Sequence, residues 1–411
     1  MMKKGILFIL ILFNCLYVNG QEVALSKRFH SDISFLASDA MKGRLTGSIF
    51  QDIAAEYIAS RFLQLGLKPM GDQNTYFQTF YYVPTVDPHS SANLHLESGD
   101  SAKITNVIGY IDNGAQSTLV IGAHYDHLGD GHSSFSLSTE AGIHNGADDN
   151  ASGVSMMMEL AQALKNSKSK YNFLFIAFSG EEFGLWGSNH FVKNPTIDLK
   201  KVATMINLDM VGRLKDDNSL LIGGVGTSPV WKGLLEKNNV SKLKLIFDES
   251  GSGPSDHTSF YFQNIPVLFY FTGQHEDYHK VSDDTEKINF DGMTKIYNNI
   301  LALVRSLEKV NEIPFTATKD DKQEKVVMKV TLGIMPDYMY NEKGLRIDGV
   351  KEDKPASKAG LKAGDVILKV ADFVITDIQT YMKALNGLEP GSKVPVEFLR
   401  DGKNMTLDVQ F

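Results

Sequence analysis

With 411 residues, 43% of them apolar and 22% charged, the chain has an ordinary globular composition and enough length for a sizeable core plus a smaller module. The net charge of −8 contains no long single-sign block, which argues against nucleic acid as a partner. There is no internal repeat or low-complexity tract.

The first twenty residues read as an export signal. Lys3 and Lys4 precede the apolar stretch "GILFILILFNCLYV", and Val18-Asn19-Gly20 places a small residue just before Gln21. The stretch is too short to span a bilayer comfortably, and the polar "QEVALSKRFHSD" follows at once, so no membrane span is expected in the mature chain. Cys15, the only cysteine, lies inside this signal; Phe13-Asn14 before it do not suit a lipoprotein site. The expected product is an exported protein, periplasmic or secreted, with no disulfide.

"FQDIAAEYIASRFLQLG" carries apolar residues at helical spacing and stops on Gly66. Strands are expected in "ITNVIGYI", "STLVIGAHYD", "NFLFIAFSG", "VATMINLDM", "KLKLIF" and "IPVLFYF". Between and after them, "ASGVSMMMELAQALKNS", "TSPVWKGLLEKNN" and "FDGMTKIYNNILALVRSLEKV" read as helices. Continuous apolar strands alternating with helices indicate an α/β sheet covered on both faces, over residues 21–310. Residues 311–325, "NEIPFTATKDDKQEK", are polar and aperiodic and read as a linker. Residues 326–411 form a second, small β-rich domain, with short strands such as "GLRIDGV" and "VPVEFL" and two brief helical pieces, "PASKAG" and "DIQTYMKALNG".

The strand ends carry the chemistry. In α/β sheets, ligands bind beyond the carboxyl ends of the strands. Here those ends offer His124, Asp126 and His127, then Glu181 and Glu182, then Asp209, then His279; Asp148 and Asp149 stand at the mouth of a helix. Any one of these reads as a polar strand end or a helix cap. Five such ends together do not. Glutamate is rarely buried unless paired or bound to metal, and crowded carboxylates need a cation between them. The mixed imidazole and carboxylate set suits Zn²⁺. Two metals need one shared carboxylate and a His plus a carboxylate each. His124, Asp209, His279 and Glu182 supply the terminal ligands, and one Asp of "NGADDNASG" the bridge. Asp126, two residues after His124, is placed to orient its imidazole. Beside such a centre a free Glu is the general base that hydrolysis requires.

Seven motifs, "ASDAMKGRLTGS", "GAHYDHLG", "NGADDNASG", "SGEEFGLWGS", "INLDMVGR", "GPSDHTSF" and "DYHKVSDDTEKI", resemble, in order, those of the M28 zinc peptidases, co-catalytic di-zinc aminopeptidases with a zinc-exopeptidase mixed sheet flanked by helices. The resemblance covers about residues 27–310. It implies two zinc ions per chain, with His124 and Asp209 on one, Glu182 and His279 on the other, and Asp149 between them. It implies Glu181 as general base and Tyr278 as the oxyanion donor. His127, His132, His144 and His275 have no ligand place in that pattern and are expected at the surface or in support of the ligands. Asp256 and His257 are expected to shape the pocket or cap a loop. Residues 326–411 resemble a PDZ domain of the bacterial protease type, with "TLGIMP" at the carboxylate-binding loop. A peptide C-terminus is the implied partner, although Pro336 lacks a donor there, and a closed module without a ligand stays an alternative.

The resemblance implies peptides with a free N-terminus as substrates. A carboxypeptidase, dipeptidase or glutaminyl cyclase on the same scaffold remains open. An inactive PDZ-bearing binding protein is the reading from another class, disfavoured because all six ligand and base positions are filled.

Overall fold

A computed structural model of the protein describes residues 23–82, 101–131, 135–138, 140–318, 330–337, 340, 342–350, 354–376 and 378–411. The export signal and Cys15 fall outside the described residues. Two compact units form: the first reaches Thr318 apart from Gly273–Glu276, which cluster with the second, and the second is otherwise described from Val330 onward.

The first unit opens with helix α1 (residues 23–36) and helix α2 (Ile49–Leu65). The Ser48 side chain accepts the N–H of Gln51 at the start of α2, and Gly66, at φ 75°, closes it. Ala54, Ala55, Ile58, Ala59, Phe62 and Leu65 are buried, the stripe that the sequence spacing predicts. Strands β1 (Lys68–Pro69), β2 (Phe77–Tyr82), β3 (Ala102–Ile111) and β4 (Ser117–His124) follow, then helix α3 (Gly153–Leu164), β5 (Tyr171–Phe178) and α4 (Trp186–Lys193). After these come β6 (Val202–Leu208), β7 (Ser219–Gly223), α5 (Trp231–Lys237), β8 (Lys244–Phe247), α6 (His257–Tyr261), β9 (Val267–Phe271) and α7 (Phe290–Ser306).

The nine strands form one mixed sheet in the order β1-β3-β5-β4-β6-β9-β7-β8, with β2 also on β3. Strands β5, β4, β6 and β9 are parallel neighbours, so their carboxyl ends share one edge. Side chains alternate between two cores, as the two-residue period of a strand requires. Phe173, Phe175 and Ala177 of β5 pack into the core that α3 fills with Met156, Met157 and Leu160. Leu174, Ile176 and Phe178 pack on the opposite face with Phe191 and Phe260, from α4 and α6. Both faces are covered, which is why these strands read as unbroken apolar runs.

The polar stretch expected as a linker begins as ordered chain on the first unit. The N–H of Thr316 donates to Thr227 O (2.8 Å), and Phe315 packs against the Tyr261 ring. Apolar residues scattered among polar ones are enough to anchor it.

The second unit contains β10 (Ile334–Pro336), β11 (Leu345–Val350), helix α8 (Pro355–Ala359), β12 (Val366–Val370), β13 (Phe373–Val374), helix α9 (Ile378–Asn386), β14 (Lys393–Arg400) and β15 (Lys403–Gln410). They make an antiparallel sheet, β10-β11-β12-β14-β15, with β13 on β12. Leu332, Ile347, Ile367, Tyr381, Leu385, Val396 and Phe398 fill its separate core.

Candidate metal centre

Four parallel strand ends and one helix entrance converge on a single cluster. His124 is the last residue of β4, and its Nδ1 lies 3.2 Å from the backbone carbonyl of Asp126. The Asp126 carboxylate sits slightly farther from that nitrogen, at 3.7 Å, accepts the Thr46 hydroxyl (2.6 Å) and accepts the N–H of Glu181 (3.3 Å). Asp126 therefore positions both His124 and the turn that carries the paired glutamates. That turn follows β5 through Gly180, whose φ of 77° suits glycine. Asp209 is the first residue beyond β6, Asp149 lies in the irregular turn leading into α3, and His279 follows β9. Nδ1 of His279 faces Phe135 O (3.1 Å), which leaves Nε2 for the cluster.

The five expected ligands come together around Asp149, and its two oxygens face opposite ways. Oδ1 lies 3.2 Å from His124 Nε2, which is also 3.4 Å from Asp209 Oδ1. Oδ2 lies 3.2 Å from His279 Nε2, itself 3.2 Å from Glu182 Oε2. A tetrahedral metal with bonds of about 2.0–2.1 Å separates its donor atoms by roughly 3.3–3.4 Å. The distances from each imidazole to its two carboxylates are close to that spacing, and among the described residues those that could hold a metal group as His124, Asp149 and Asp209 and as His127, Asp149 and Glu182. Asp209 Oδ1 is buried and has no hydrogen-bond partner among the described residues, an orphan that a cation would satisfy. Glu181 reaches the edge of the first group, with Oε2 3.9 Å from His124 Nε2. The Tyr278 ring stacks on His279 at 3.9 Å.

Electrostatics point the same way. Burial opposes ionisation of every carboxylate in the cluster. It pushes the Glu181 carboxyl well above its ordinary range, helped by Asp209, Glu182 and Asp256 and opposed by His124. Burial works against Asp149 too, but hydrogen bonds with His124 and His279 hold it well below the usual carboxylate range. Burial disfavours a charged His279, yet Glu182 and Asp149 raise it to about 10. The cluster draws positive charge, and a divalent cation is the natural source.

Other residues support these groups. His127, expected at the surface or in support of the ligands, is fully buried, and its Nδ1 lies 2.6 Å from Glu182 Oε1. That is a hydrogen bond, too short for two ligands of one tetrahedral ion. His144 is also buried, with Nε2 2.7 Å from the Ser136 hydroxyl; His275 is half-buried, and His132 lies outside the described residues. The side chain of Asn150 donates to Leu208 O (2.9 Å) and accepts the N–H of Met210 (3.2 Å), gripping the backbone on both sides of Asp209. The Asp283 carboxylate accepts the N–H groups of Asp148 and Asp149. Arg44 is completely buried and donates to the carbonyls of Leu36, Tyr125, Asn145 and Gly146, tying the end of β4 to the turn before Asp149. Asp256 is buried and pushed up to about 7, chiefly by burial, while His257 stacks on Phe269 at 4.6 Å.

A mixed sheet that gathers imidazoles and carboxylates around one shared aspartate is the architecture of a metal centre. Residues 106–304 match the model of peptidase family M28, and residues 315–411 match that of the PDZ domain. An M28 peptidase domain and a PDZ domain are thus matched in that order along the chain. Over 190 residues it is 32% identical to aminopeptidase YwaD of Bacillus subtilis, covering 43% of this chain and 41% of the relative. It is 33% identical over 192 residues to the probable lipoprotein aminopeptidase LpqL of Mycobacterium tuberculosis, covering 43% and 36%. The match thus spans less than half the length of either relative. The fold is similar to that of BSAP, a zinc aminopeptidase from Bacillus subtilis, with TM-score 0.54 and 19% identity over 72% of this chain and 96% of that one. It is also similar to that of the Porphyromonas gingivalis glutaminyl cyclase, with TM-score 0.55 and 15% identity over 68% and 98%.

Proposed function

We propose that the protein is an exported zinc aminopeptidase that releases N-terminal residues from peptides. The observation that carries this reading is the division of the Asp149 oxygens between His124 and His279, each 3.2 Å from an imidazole Nε2. His124 and Asp209 would hold one zinc, Glu182 and His279 the other, and Asp149 both. When bound, the metals supply Lewis acidity and lower the pKa of water.

The remaining work falls to side chains of this chain. Glu181 stands farther off, 3.9 Å from His124 Nε2, and would act as the proton carrier, the role that the M28 resemblance implies for it. It takes a proton from the attacking water as the new C–O bond forms, then delivers it to the leaving amine as the C–N bond breaks. Burial raises its proton affinity, which suits the second half of that cycle. The phenol of Tyr278, whose ring is fixed against His279, is an O–H donor for the oxygen that becomes negative. Asp126 holds His124 and the backbone of Glu181 in mutual register. The N-terminal export pattern, together with a relative named as a lipoprotein aminopeptidase, supports action outside the cytoplasm.

In the second unit, a peptide C-terminus would add beside β10. The N–H of Asp337 points inward to Arg346 O (2.8 Å), so position 336 faces away from β11, and there proline has no donor. Only the last residue or two of a partner would be held.

The test is release of the first residue from a peptide supplied free or acetylated at its N-terminus, with and without chelator. Chelator-sensitive release from the free form alone is expected. Cleavage from the carboxyl end, or ammonia released from an N-terminal glutamine peptide without hydrolysis, would replace this reading with a carboxypeptidase or a cyclase.

A further inference from the structure

Four aromatic rings stand in a row beside the paired glutamates. Tyr82 stacks on Trp186 (4.1 Å between centroids, 27°), Trp186 meets Phe183 (5.5 Å), and Phe183 meets Phe135 edge-on (5.9 Å). None is a core residue. Tyr82, Phe183 and Trp186 are half-buried, and Phe135 is 36% exposed. The row is tied to the metal centre at two points. Phe183 directly follows Glu182, and the Phe135 carbonyl accepts from His279. Trp186 packs on the turn before Glu181 so closely that a Cβ on Gly180 would lie 3.0 Å from its own Cβ. Its N–H returns to Gly180 O (2.9 Å), and the N–H groups of Gly184 and Leu185 cap the Glu181 carbonyl. The turn that aims Glu181 is therefore the one that displays the rings.

We infer that Tyr82, Trp186, Phe183 and Phe135 form the subsite for the residue that follows the scissile bond, and that they select an aromatic or large aliphatic side chain there. The inference rests on the proposed peptidase reading. Glu181 delivers its proton to the leaving amine, so the leaving residue lies on the Glu181 side of the bond, where the wall stands. Stacked rings left half-open to solvent gain from covering by an apolar side chain, and gain most from another ring. A charged or glycyl residue at that place offers no such cover.

Tripeptides Leu-Xaa-Ala, with Xaa as Phe, Leu, Gly or Asp, read the subsite directly when the wild-type zinc-loaded enzyme is compared with Trp186→Ala and Phe183→Ala. Apolar contacts of this size are worth about tenfold or more in kcat/KM. The expected result is a Phe over Gly preference of about that size in the wild type which falls toward unity in both variants. Phe183→Leu keeps an apolar side chain and should retain part of the preference. A preference absent in the wild type, or unchanged in the variants, overturns the subsite and leaves the peptidase reading intact. So does a series of aminoacyl-nitroanilides in which the same variants alter selection of the N-terminal residue instead. No release from any tripeptide, with zinc bound, overturns the peptidase reading and the subsite with it.

Discussion

The carboxylate of Asp283 accepts the backbone N–H of Asp149 at 3.1 Å. It also accepts that of Asp148 at 3.0 Å, so the segment that brings His279 to the centre holds, four residues later, the peptide that carries the shared carboxylate. The two sides of the centre are locked by one side chain. Asp283→Ala leaves these buried N–H groups without that acceptor, at about 1–3 kcal/mol of stability. It also frees Asp149 to rotate, and losses of supporting partners typically weaken metal binding about 10–100-fold. Zinc competition against a chelator and thermal unfolding measure the two effects, and Asp283→Asn, which keeps one carbonyl oxygen, should fall between. Wild-type zinc affinity in Asp283→Ala would remove this role.

His127 acts on the Glu182 side of the centre, where its Nδ1 is also 3.9 Å from Asp149 Oδ2. Its hydrogen bond occupies Oε1 of Glu182 and leaves Oε2 toward His279, whereas His124 and Asp209 do not depend on it. His127→Ala should therefore weaken the Glu182–His279 metal selectively, by about 10–100-fold. At limiting free zinc, metal analysis should then read close to one ion per chain where the wild type holds about two. Equal weakening of both ions would contradict the assignment.

Glu182 and Asp209 were legible because they stand close beyond unbroken apolar strands, and His279 because it lies in the polar loop after one; the Asp148-Asp149 pair marks a helix entrance, and the choice of Asp149 within it rests on the family resemblance. Their partners were not legible. Arg44 sits in "MKGRLTGS", a stretch to which the sequence assigns no element, and only the tertiary fold supplies the four carbonyls that make a buried guanidinium tolerable. His124 and His127 are three apart in "HYDH", and which one faces Asp149 depends on how the chain turns after β4. Asp283 and Asn150 act through backbone groups, which carry no side-chain pattern. Strands β2 and β7 were also not read; β2 lies near the sheet edge with only partial burial. The strand order, which puts β5, β4, β6 and β9 side by side, follows from crossover geometry and not from local sequence.

His257 couples the fold to pH. Burial against Phe269 holds its imidazole down at about 3, while in the unfolded chain it titrates at about 6.5. Between those values the unfolded chain binds a proton that the folded chain refuses, so stability falls as pH drops below 6.5 and is not affected by this group above it. Between pH 7 and pH 5 the contribution is about 2 kcal/mol. Urea unfolding of the wild type and His257→Leu at both pH values isolates it. The wild type should lose about that much more on acidification, and parallel losses in the two proteins would show that His257 does not titrate as described.

The most direct test of the central claim is Glu181→Gln, examined for bound zinc and turnover in the same preparation. Glutamine keeps the shape of the side chain and cannot carry the proton. If Glu181 is the proton carrier beside a centre built by His124, Asp149, Glu182, Asp209 and His279, the variant should bind about two zinc ions as tightly as the wild type while kcat falls by several orders of magnitude. Near-normal turnover, or loss of the metals along with the activity, would contradict the account.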